Sequence, residues 1–257
     1  MRHIDTHIHI ESGEYTLDWI DEFVAQAVNR GMDEIWLLEH CYRFREFVPM
    51  YKSVCAYSDY IDEWLCQKAG TLGISDYLKL IEKVRNKKYP VDIKWGLEVC
   101  YFKKFEDLVH VQTKDLGVDF LLGSTHFVDD FAFDHKYEHW DGVNVNDVFK
   151  RYYEISIDLA NSGLFDGIAH PDSIKLFGHR PSGASFKIML YIKIVPEYLF
   201  HRNNIITYIL RTMRIRSRYN SHTIFLHSFN HINIHSYLTT GSAIASAVHL
   251  CIHIIFC

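Results

Sequence analysis

The chain has 257 residues, of which 48% are hydrophobic and 23% are charged, and these values are ordinary for a globular protein that buries a sizeable core. The length is enough for one large α/β domain or two small ones. Six scattered cysteines without a Cys-x-x-Cys pair argue against a disulfide framework, and the first residues lack the apolar core of a signal peptide. We therefore expect a protein of the reducing cytoplasm.

The net charge of −5 conceals an uneven distribution of acidic residues. Residues 1–182 hold 31 of the 32 acidic side chains and 20 of the 27 basic ones, so their net charge is −11. Residues 183–257 hold seven basic side chains and one acidic side chain, Glu197, so their net charge is +6. The negative charge of the first part argues against nucleic acid as a partner. The abrupt change predicts a boundary after residue 182, with one domain before it and an atypical segment behind it.

Strand and helix patterns alternate from the start of the chain to residue 172. Short apolar runs predict strands at residues 4–9, 35–38, 91–99, 120–125 and 165–169. Amphipathic spacing, with Thr16 and Ser75 as caps, predicts helices at residues 17–30, 76–88, 105–116 and 146–162. Residues 41–74 mix aromatic and charged side chains and predict a helical or looped insertion over the strand ends. A loop rich in aspartate and aromatic residues is predicted at 129–140.

This alternation predicts a parallel sheet with crossover helices. The strands lack polar alternation, which indicates that both faces of the sheet are covered. A closed (β/α) barrel fits better than an open doubly wound sheet, because each strand delivers a polar residue at its carboxyl end, where barrel enzymes build their sites. The open sheet is the alternative, although no Gly-x-Gly-x-x-Gly motif follows the first strand.

The carboxyl ends of the five predicted strands carry residues of metal-ligand type. In chain order these residues are His7, His9, His40, Glu98, His126 and His170. His7 and His9 project to one face, because alternate residues of a strand do so. Imidazoles together with a carboxylate suit Zn, Mn or Fe. Because Glu98 near the centre could bridge two ions, we expect two or three divalent ions. Such ions would clamp a phosphate and lower the pKa of a bound water, and metal-bound hydroxide would then replace a side-chain nucleophile.

Other polar residues near the strand ends have competing interpretations. Five of them could contact a substrate, although a solvated or surface role is the alternative for each: Arg43, Arg45, His135, His179 and Arg180. Cys41 follows His40, but no motif supplies the base that a cysteine nucleophile needs.

The strand-end motifs resemble those of one known family. They are Asp5-Thr6-His7-Ile8-His9, Leu38-Glu39-His40, Gly96-Leu97-Glu98, Gly123-Ser124-Thr125-His126 and Ala169-His170-Pro171-Asp172. In this order and at this spacing they resemble the PHP (polymerase and histidinol phosphatase) superfamily, and within it the histidinol-phosphatase-type proteins of bacteria. The resemblance covers residues 2–182. It implies a distorted (β/α)7 barrel, a trinuclear metal site and hydrolysis of a small phosphorylated metabolite, L-histidinol phosphate, in histidine biosynthesis.

The resemblance also implies a role for each ligand. The implied ligands are, for the first ion, His7, His9 and a bridging Glu98; for the second, Glu98, His126 and His170; and for the third, His40. Family members usually complete the third site with an acid from the loop after the first strand, for which Glu14 is the candidate and Glu11 the alternative. Two other functions stay open: a PHP phosphoesterase acting on another small phosphate or a nucleotide, and an inactive metal-binding remnant.

The sequence departs from the family after residue 182. The family's last ligands come as Asp-x-His on a late strand, but residues 183–257 contain no aspartate, and the two strands expected there are not recognisable. Three interpretations are open: a frameshifted or unrelated translation, a membrane anchor, and a genuine divergent ending. The anchor is disfavoured because its apolar stretch, Ser242–Cys257, has only 16 residues, whereas a spanning helix needs about 20.

The missing ligands have a consequence for activity. Each lost ligand or supporting contact costs about 10- to 100-fold in metal affinity or activity. We therefore expect the chain as written to be weakly active or inactive, although its lineage is that of a phosphatase.

The frameshift interpretation predicts a single-base change near codon 183. Sequencing the locus across codons 175–260 tests it, because correction of the frame should restore an ending that contains Asp-x-His. An intact frame, together with an expressed peptide from residues 183–257 found by mass spectrometry, would contradict it.

Overall fold

The computed structural model describes residues 2–182. The predictions made for residues 183–257, including the frameshifted ending, the anchor at Ser242–Cys257 and the absent late ligands, lie outside the described residues. The predicted domain boundary after residue 182 therefore stays a prediction.

A five-stranded parallel sheet forms the centre of the described region. Its strands are β1 (Ile4–His9), β2 (Glu34–His40), β3 (Asp92–Cys100), β4 (Phe120–Ser124) and β5 (Gly167–Ile168). Neighbouring strands pair in chain order from β1 to β5, and every pair is parallel. This order does not reverse, as it does in a doubly wound sheet, and it is the order of strands along a barrel wall. The predicted α/β class with sequential parallel strands is confirmed for residues 2–182.

The strand register brings the carboxyl ends of β2 and β3 to one level. His40, the last residue of β2, lies opposite Glu98 of β3. The pairing of β1 with β2 shifts between Asp5 and Ile8, which marks a bulge in the strand that carries the first two histidines. β5 is shorter than predicted, because only Gly167 and Ile168 pair with β4.

Helices follow the strands as predicted, although three of their boundaries differ from the prediction by two or three residues. Among residues 2–182, the α-helices are α1 (Leu17–Asn29), α2 (Lys52–Tyr57), α3 (Asp59–Lys68), α4 (Ile74–Arg85), α5 (Glu106–Thr113) and α6 (Val145–Asn161). Thr16 caps α1, but the prediction that Ser75 caps α4 is wrong. Gly73 is the N-cap of α4, and the Asp76 carboxylate accepts a hydrogen bond of 3.2 Å from its N–H.

No helix among residues 2–182 is long and apolar enough to cross a membrane.

Residues 41–74 form the predicted insertion and contribute aromatic side chains to the core. They contain two short 3-10 segments, Cys41–Arg43 and Arg45–Tyr51, which are followed by α2 and α3. The side chains of Phe44 and Phe47 have no exposed surface. The insertion is therefore packed into the domain through its aromatic residues, which also explains their density in the sequence.

Gly96 lies at a close approach between β3 and β4. A β-carbon at this position would lie 2.2 Å from the buried ring of Phe120, the residue that pairs with Gly96 across the two strands. The Gly96 carbonyl accepts a hydrogen bond of 2.7 Å from the buried Tyr77 hydroxyl. The ring and the hydrogen bond together hold this part of β3 in place, so the strand has no room for a side chain here.

We expect Gly96→Ala to lower the free energy of unfolding by about 1–3 kcal/mol, because the added methyl group overpacks against Phe120. Urea unfolding followed by circular dichroism measures the change. Val111→Ala is the control: its side chain is 62% exposed, and the expected change is within about 0.5 kcal/mol. Equal stabilities of the two variants would contradict the close approach.

Candidate metal centre

Glu98 is the centre of the cluster that the strand ends form. Its side chain has no exposed surface, and imidazole nitrogens surround its carboxylate. The Oε2 atom lies 2.9 Å from His7 Nε2 and 3.2 Å from His9 Nε2. The Oε1 atom lies 2.9 Å from His126 Nε2, 3.0 Å from His170 Nε2 and 3.7 Å from His40 Nε2. The structure thus brings together all six residues that the strand ends singled out.

The parallel register explains this convergence. His40 and Glu98 are cross-strand neighbours at the ends of β2 and β3. His126 follows the last residue of β4 by two positions, and His170 follows the last residue of β5 by two positions. β1 contributes two alternate residues, which share one face of the strand. Neighbouring parallel strands that end at one level therefore present their ligands to a common point.

His170 has an unusual backbone conformation. Its φ is +32°, in the left-handed region, where a residue other than glycine carries a strain of about 1–3 kcal/mol. The neighbouring Pro171 restricts this backbone further. In this conformation the imidazole Nε2 reaches Glu98 Oε1 at 3.0 Å. Strain of this kind persists where the surrounding structure fixes the residue, as at active sites and ligand clamps.

The donor atoms of the cluster fit a divalent cation. His7 Nε2 and His9 Nε2 lie 2.9 Å apart, and both face the same oxygen of Glu98. Glu98 Oε2 is buried and makes no hydrogen bond of good geometry, although both nitrogens lie within 3.2 Å of it. Lone pairs and a carboxylate oxygen that face one point are the ligands that Zn²⁺ and related ions prefer.

Three sets of ligand atoms lie close enough together to hold an ion. Within each set the atoms are at most 4.8 Å apart, and the sets found among residues 2–182 are His7, His9 and Glu98; His9, Glu11 and His40; and His40, Glu98 and His126. Glu98 belongs to two of the sets. This sharing is what a carboxylate that bridges two ions requires.

The electrostatics of the cluster keep Glu98 ionised. Burial raises the pKa of the Glu98 carboxyl, but His40, His170 and the hydrogen bond from His126 lower it more, so that the pKa lies well below its usual range. The pKa of His40 is lowered, chiefly because burial disfavours its charged form. Metal binding needs the same ionised carboxylate, together with imidazoles that have given up their extra proton.

Of the two loop acids, Glu11 lies at the cluster and Glu14 does not. Glu11 Oε2 accepts hydrogen bonds from His40 Nδ1 at 3.0 Å and from the Tyr42 hydroxyl at 3.2 Å. The hydrogen bond from His40 is the main reason that the pKa of Glu11 is lowered to about 2. Glu14 is exposed and belongs to no close set of ligand atoms within residues 2–182. The geometry therefore favours the alternative, Glu11, as the loop ligand.

Two acids beside the cluster, the buried Glu39 and the largely buried Asp134, are not predicted by the sequence pattern. Asp134 Oδ2 lies 2.8 Å from His126 Nδ1. Glu39 Oε2 accepts a hydrogen bond of 2.5 Å from the Tyr15 hydroxyl, and burial raises the pKa of Glu39 to about 7. The only signals in the sequence are the position of Glu39 directly before His40 and the acidic character of the loop that holds Asp134.

The two arginines proposed as substrate contacts lie in different surroundings. Arg43 is mostly buried, and its Nε lies 3.8 Å from Glu39 Oε2 without a hydrogen bond. Arg45 is exposed, and its guanidinium lies beside Gly73 at the start of α4. Arg43 is therefore near a buried acid next to the cluster, whereas Arg45 is near a helix terminus.

The remaining three substrate candidates have described packing partners. The ring of His179 lies between those of Tyr137 and Trp140, with centroid distances of 5.2 Å and 4.4 Å. Arg180 donates hydrogen bonds to two backbone carbonyls of its own segment. The ring of His135 packs edge-on against a tryptophan of α3. These contacts explain why the three side chains are held in place, and their substrate roles stay predictions.

The fold and the cluster define an α/β protein with a candidate divalent-metal centre at the carboxyl ends of its strands. A family model described as "PHP domain" matches residues 5–201, which is more than half of the chain and extends beyond residue 182. The chain therefore belongs to the PHP domain family, as its strand-end motifs predicted.

Two known proteins show the relationship in more detail. The chain is 30% identical over 181 residues to a Deinococcus radiodurans protein named "Probable histidinol-phosphatase", and the alignment covers 68% of this chain and 62% of that protein. The chain thus spans less than two thirds of that relative's length. A crystal structure of histidinol phosphate phosphatase from Lactococcus lactis subsp. lactis, complexed with zinc, L-histidinol and phosphate, matches with a TM-score of 0.56 at 17% identity, over 76% of this chain and 69% of that chain. This second likeness confirms the fold.

Cys41, which directly follows His40, should be unreactive in the folded protein. Burial raises the pKa of its thiol to about 12, and the thiolate is the reactive form. Brief alkylation with iodoacetamide under native conditions should modify the exposed Cys66 and spare Cys41 until the chain is denatured. Peptide mass mapping measures both sites. Rapid native modification of Cys41 would contradict its burial and support a cysteine nucleophile.

Proposed function

We propose that this chain is a metal-dependent hydrolase of phosphate monoesters, and that its substrate is L-histidinol phosphate, which it cleaves to L-histidinol and phosphate. The observation that carries the proposal is the convergence of five imidazoles on the buried carboxylate of Glu98. Membership of the PHP domain family supports the hydrolase class. The name of the Deinococcus relative and the ligands of the Lactococcus structure support the substrate.

We assign the first ion to His7, His9 and Glu98, the second to Glu98, His126 and His170, and the third to His40 and Glu11, so that each neutral imidazole would bind one ion through its single lone pair. Bound there, the ions would supply Lewis-acid catalysis and a nucleophile derived from water at neutral pH. The neutral imidazoles add no charge of their own, and Glu98 and Glu11 each add one negative charge. A site with two or three divalent ions therefore keeps a net positive charge, which attracts the dianion of a phosphate monoester.

The substrate contacts follow from what surrounds the cluster. We assign contact with the substrate phosphate to Arg43, because it lies beside Glu39 next to the metal centre and its guanidinium can bind two phosphate oxygens. His135 is assigned to the substrate as well, because its Nε2 lies 3.9 Å from Asp134, which contacts His126. The described contacts of His179 are with the rings of Tyr137 and Trp140, and its substrate role stays a prediction.

A second function is metal binding without turnover. It is favoured by the sequence of residues 183–257, which contain no aspartate and therefore no Asp-x-His pair. A cluster without these late ligands would hold its ions less tightly.

We expect the purified full-length chain to bind fewer than three divalent ions tightly and to release phosphate slowly from L-histidinol phosphate. Elemental analysis after dialysis gives the ion content, and a phosphate-release assay with added zinc or manganese gives the activity. A panel of nucleotides and other small phosphate esters separates L-histidinol phosphate from the alternative substrates. Three tightly bound ions per chain would contradict the expected impairment.

Glu98→Gln should lower zinc affinity by about 10- to 100-fold and remove the measurable turnover, because the amide lacks the negative charge that the ions require. Glu82→Gln is the matched control, since Glu82 lies on the exposed face of α4. Absence of bound metal in the unmodified chain would refute the proposed function. Bound metal that depends on Glu98 but gives no turnover on any ester of the panel would favour the non-catalytic alternative.

A further inference from the structure

Asp134 lies in the loop between β4 and α6, and the backbone before it is held by two side chains of the same loop. The indole Nε1 of Trp140 donates a hydrogen bond of 2.8 Å to the carbonyl of Phe133. The Nδ1 atom of His139 lies 3.2 Å from the carbonyl of Ala132. The side chain of Asp134 is itself only 15% exposed. This carboxylate is therefore presented from a fixed backbone and not from a free loop.

The Asp134 carboxylate contacts one nitrogen of His126 while the other nitrogen faces the metal centre. Nδ1 lies 2.8 Å from Asp134 Oδ2, and Nε2 lies 2.9 Å from Glu98 Oε1. A carboxylate carries no proton to donate, so Nδ1 is the donor in the first contact. When an ion takes the lone pair of Nε2, which is the atom that faces Glu98, the one proton of the neutral imidazole is on Nδ1.

We propose that Asp134 is a positioning residue of the metal centre, which fixes the ring orientation and the Nδ1–H tautomer of His126. This inference rests on the proposed function, since it presumes that His126 Nε2 binds an ion. Asp134 belongs to none of the close sets of ligand atoms found among residues 2–182, so it acts through His126 and not as a ligand. A carboxylate behind a metal-binding histidine raises the basicity of the ligand and orders its ring.

Three other histidines of the cluster lack a contact of this kind. Among the described residues, His9 Nδ1 and His170 Nδ1 are buried without a hydrogen-bond partner. His40 Nδ1 contacts Glu11, which is itself a candidate ligand. Compared with His9, His40 and His170, His126 is thus the histidine whose Nδ1 meets a carboxylate outside the ligand sets. We therefore expect the contribution of His126 to zinc affinity to depend on the Asp134 carboxylate.

Asp134→Ala and Asp134→Asn in the full-length chain test this role, with Asp130→Asn as a matched control in the same loop. Zinc affinity is measured by competition with a chromogenic chelator. We expect Asp134→Ala to weaken zinc binding by about 10- to 100-fold, and Asp134→Asn to weaken it less, because the amide oxygen can still accept the hydrogen bond without supplying charge. Asp130→Asn should bind zinc as the unmodified chain does.

A second readout separates positioning from a purely structural role. In the zinc-loaded protein labelled with ¹⁵N-histidine, the hydrogen-bonded Nδ1 proton of His126 should give a protected imidazole N–H signal. This signal should persist in Asp134→Asn and disappear in Asp134→Ala, while circular dichroism shows both variants folded. The His126→Gln variant lacks this imidazole, so the signal that disappears in it is the signal of His126.

Unchanged zinc affinity and an unchanged N–H signal in folded Asp134→Ala would overturn the inference. Equal losses of affinity in Asp134→Ala and Asp130→Asn would overturn it too, because the loop and not the contact would then be responsible. Failure of the proposed function has a different signature, namely that the unmodified chain binds no zinc in the same competition assay.

Discussion

The burial of one carboxylate among imidazoles is the interaction on which the described site depends. Glu98 has no exposed surface, and an isolated ionised carboxylate in such a position would be strongly unfavourable. It is tolerated because nitrogens from four other strand ends lie around its two oxygens, and because they hold its pKa well below the usual range. This arrangement requires the strands to be neighbours in chain order and to end at one level. The site therefore requires this strand order and this register.

The parts of the structure that the sequence predicts well are those governed by local periodicity. Apolar runs of strand length and amphipathic helical spacing locate β1 to β4 and the main helices closely, because burial of these faces is the dominant local constraint. The six residues of the cluster are predicted for a related reason. In a parallel sheet all carboxyl ends meet at one edge, so metal-ligand residues at successive strand ends must lie close together.

The parts that the sequence does not predict are set by loop conformation and tertiary contacts. Glu11 and Glu14 are three positions apart in one loop, and only the folded structure shows that Glu11 forms hydrogen bonds with His40 and Tyr42. Likewise, Asp134 is one acid among several in its loop, and only the folded backbone shows that it meets His126. The start of α4 differs from the prediction because a glycine cap supported by the Asp76 carboxylate competes well with a serine cap.

The sequential order of the strands also governs when the site can form during folding. The contact of Glu98 with His126 joins residues 28 positions apart, whereas its contact with His170 joins residues 72 positions apart. Closing the longer loop costs more chain entropy, so we expect the His170 contact to form after the His126 contact. As the chain leaves the ribosome, the first imidazoles emerge long before the last, and the carboxylate between them is only partly surrounded in the meantime. The completed cluster is thus a marker of a fully folded domain.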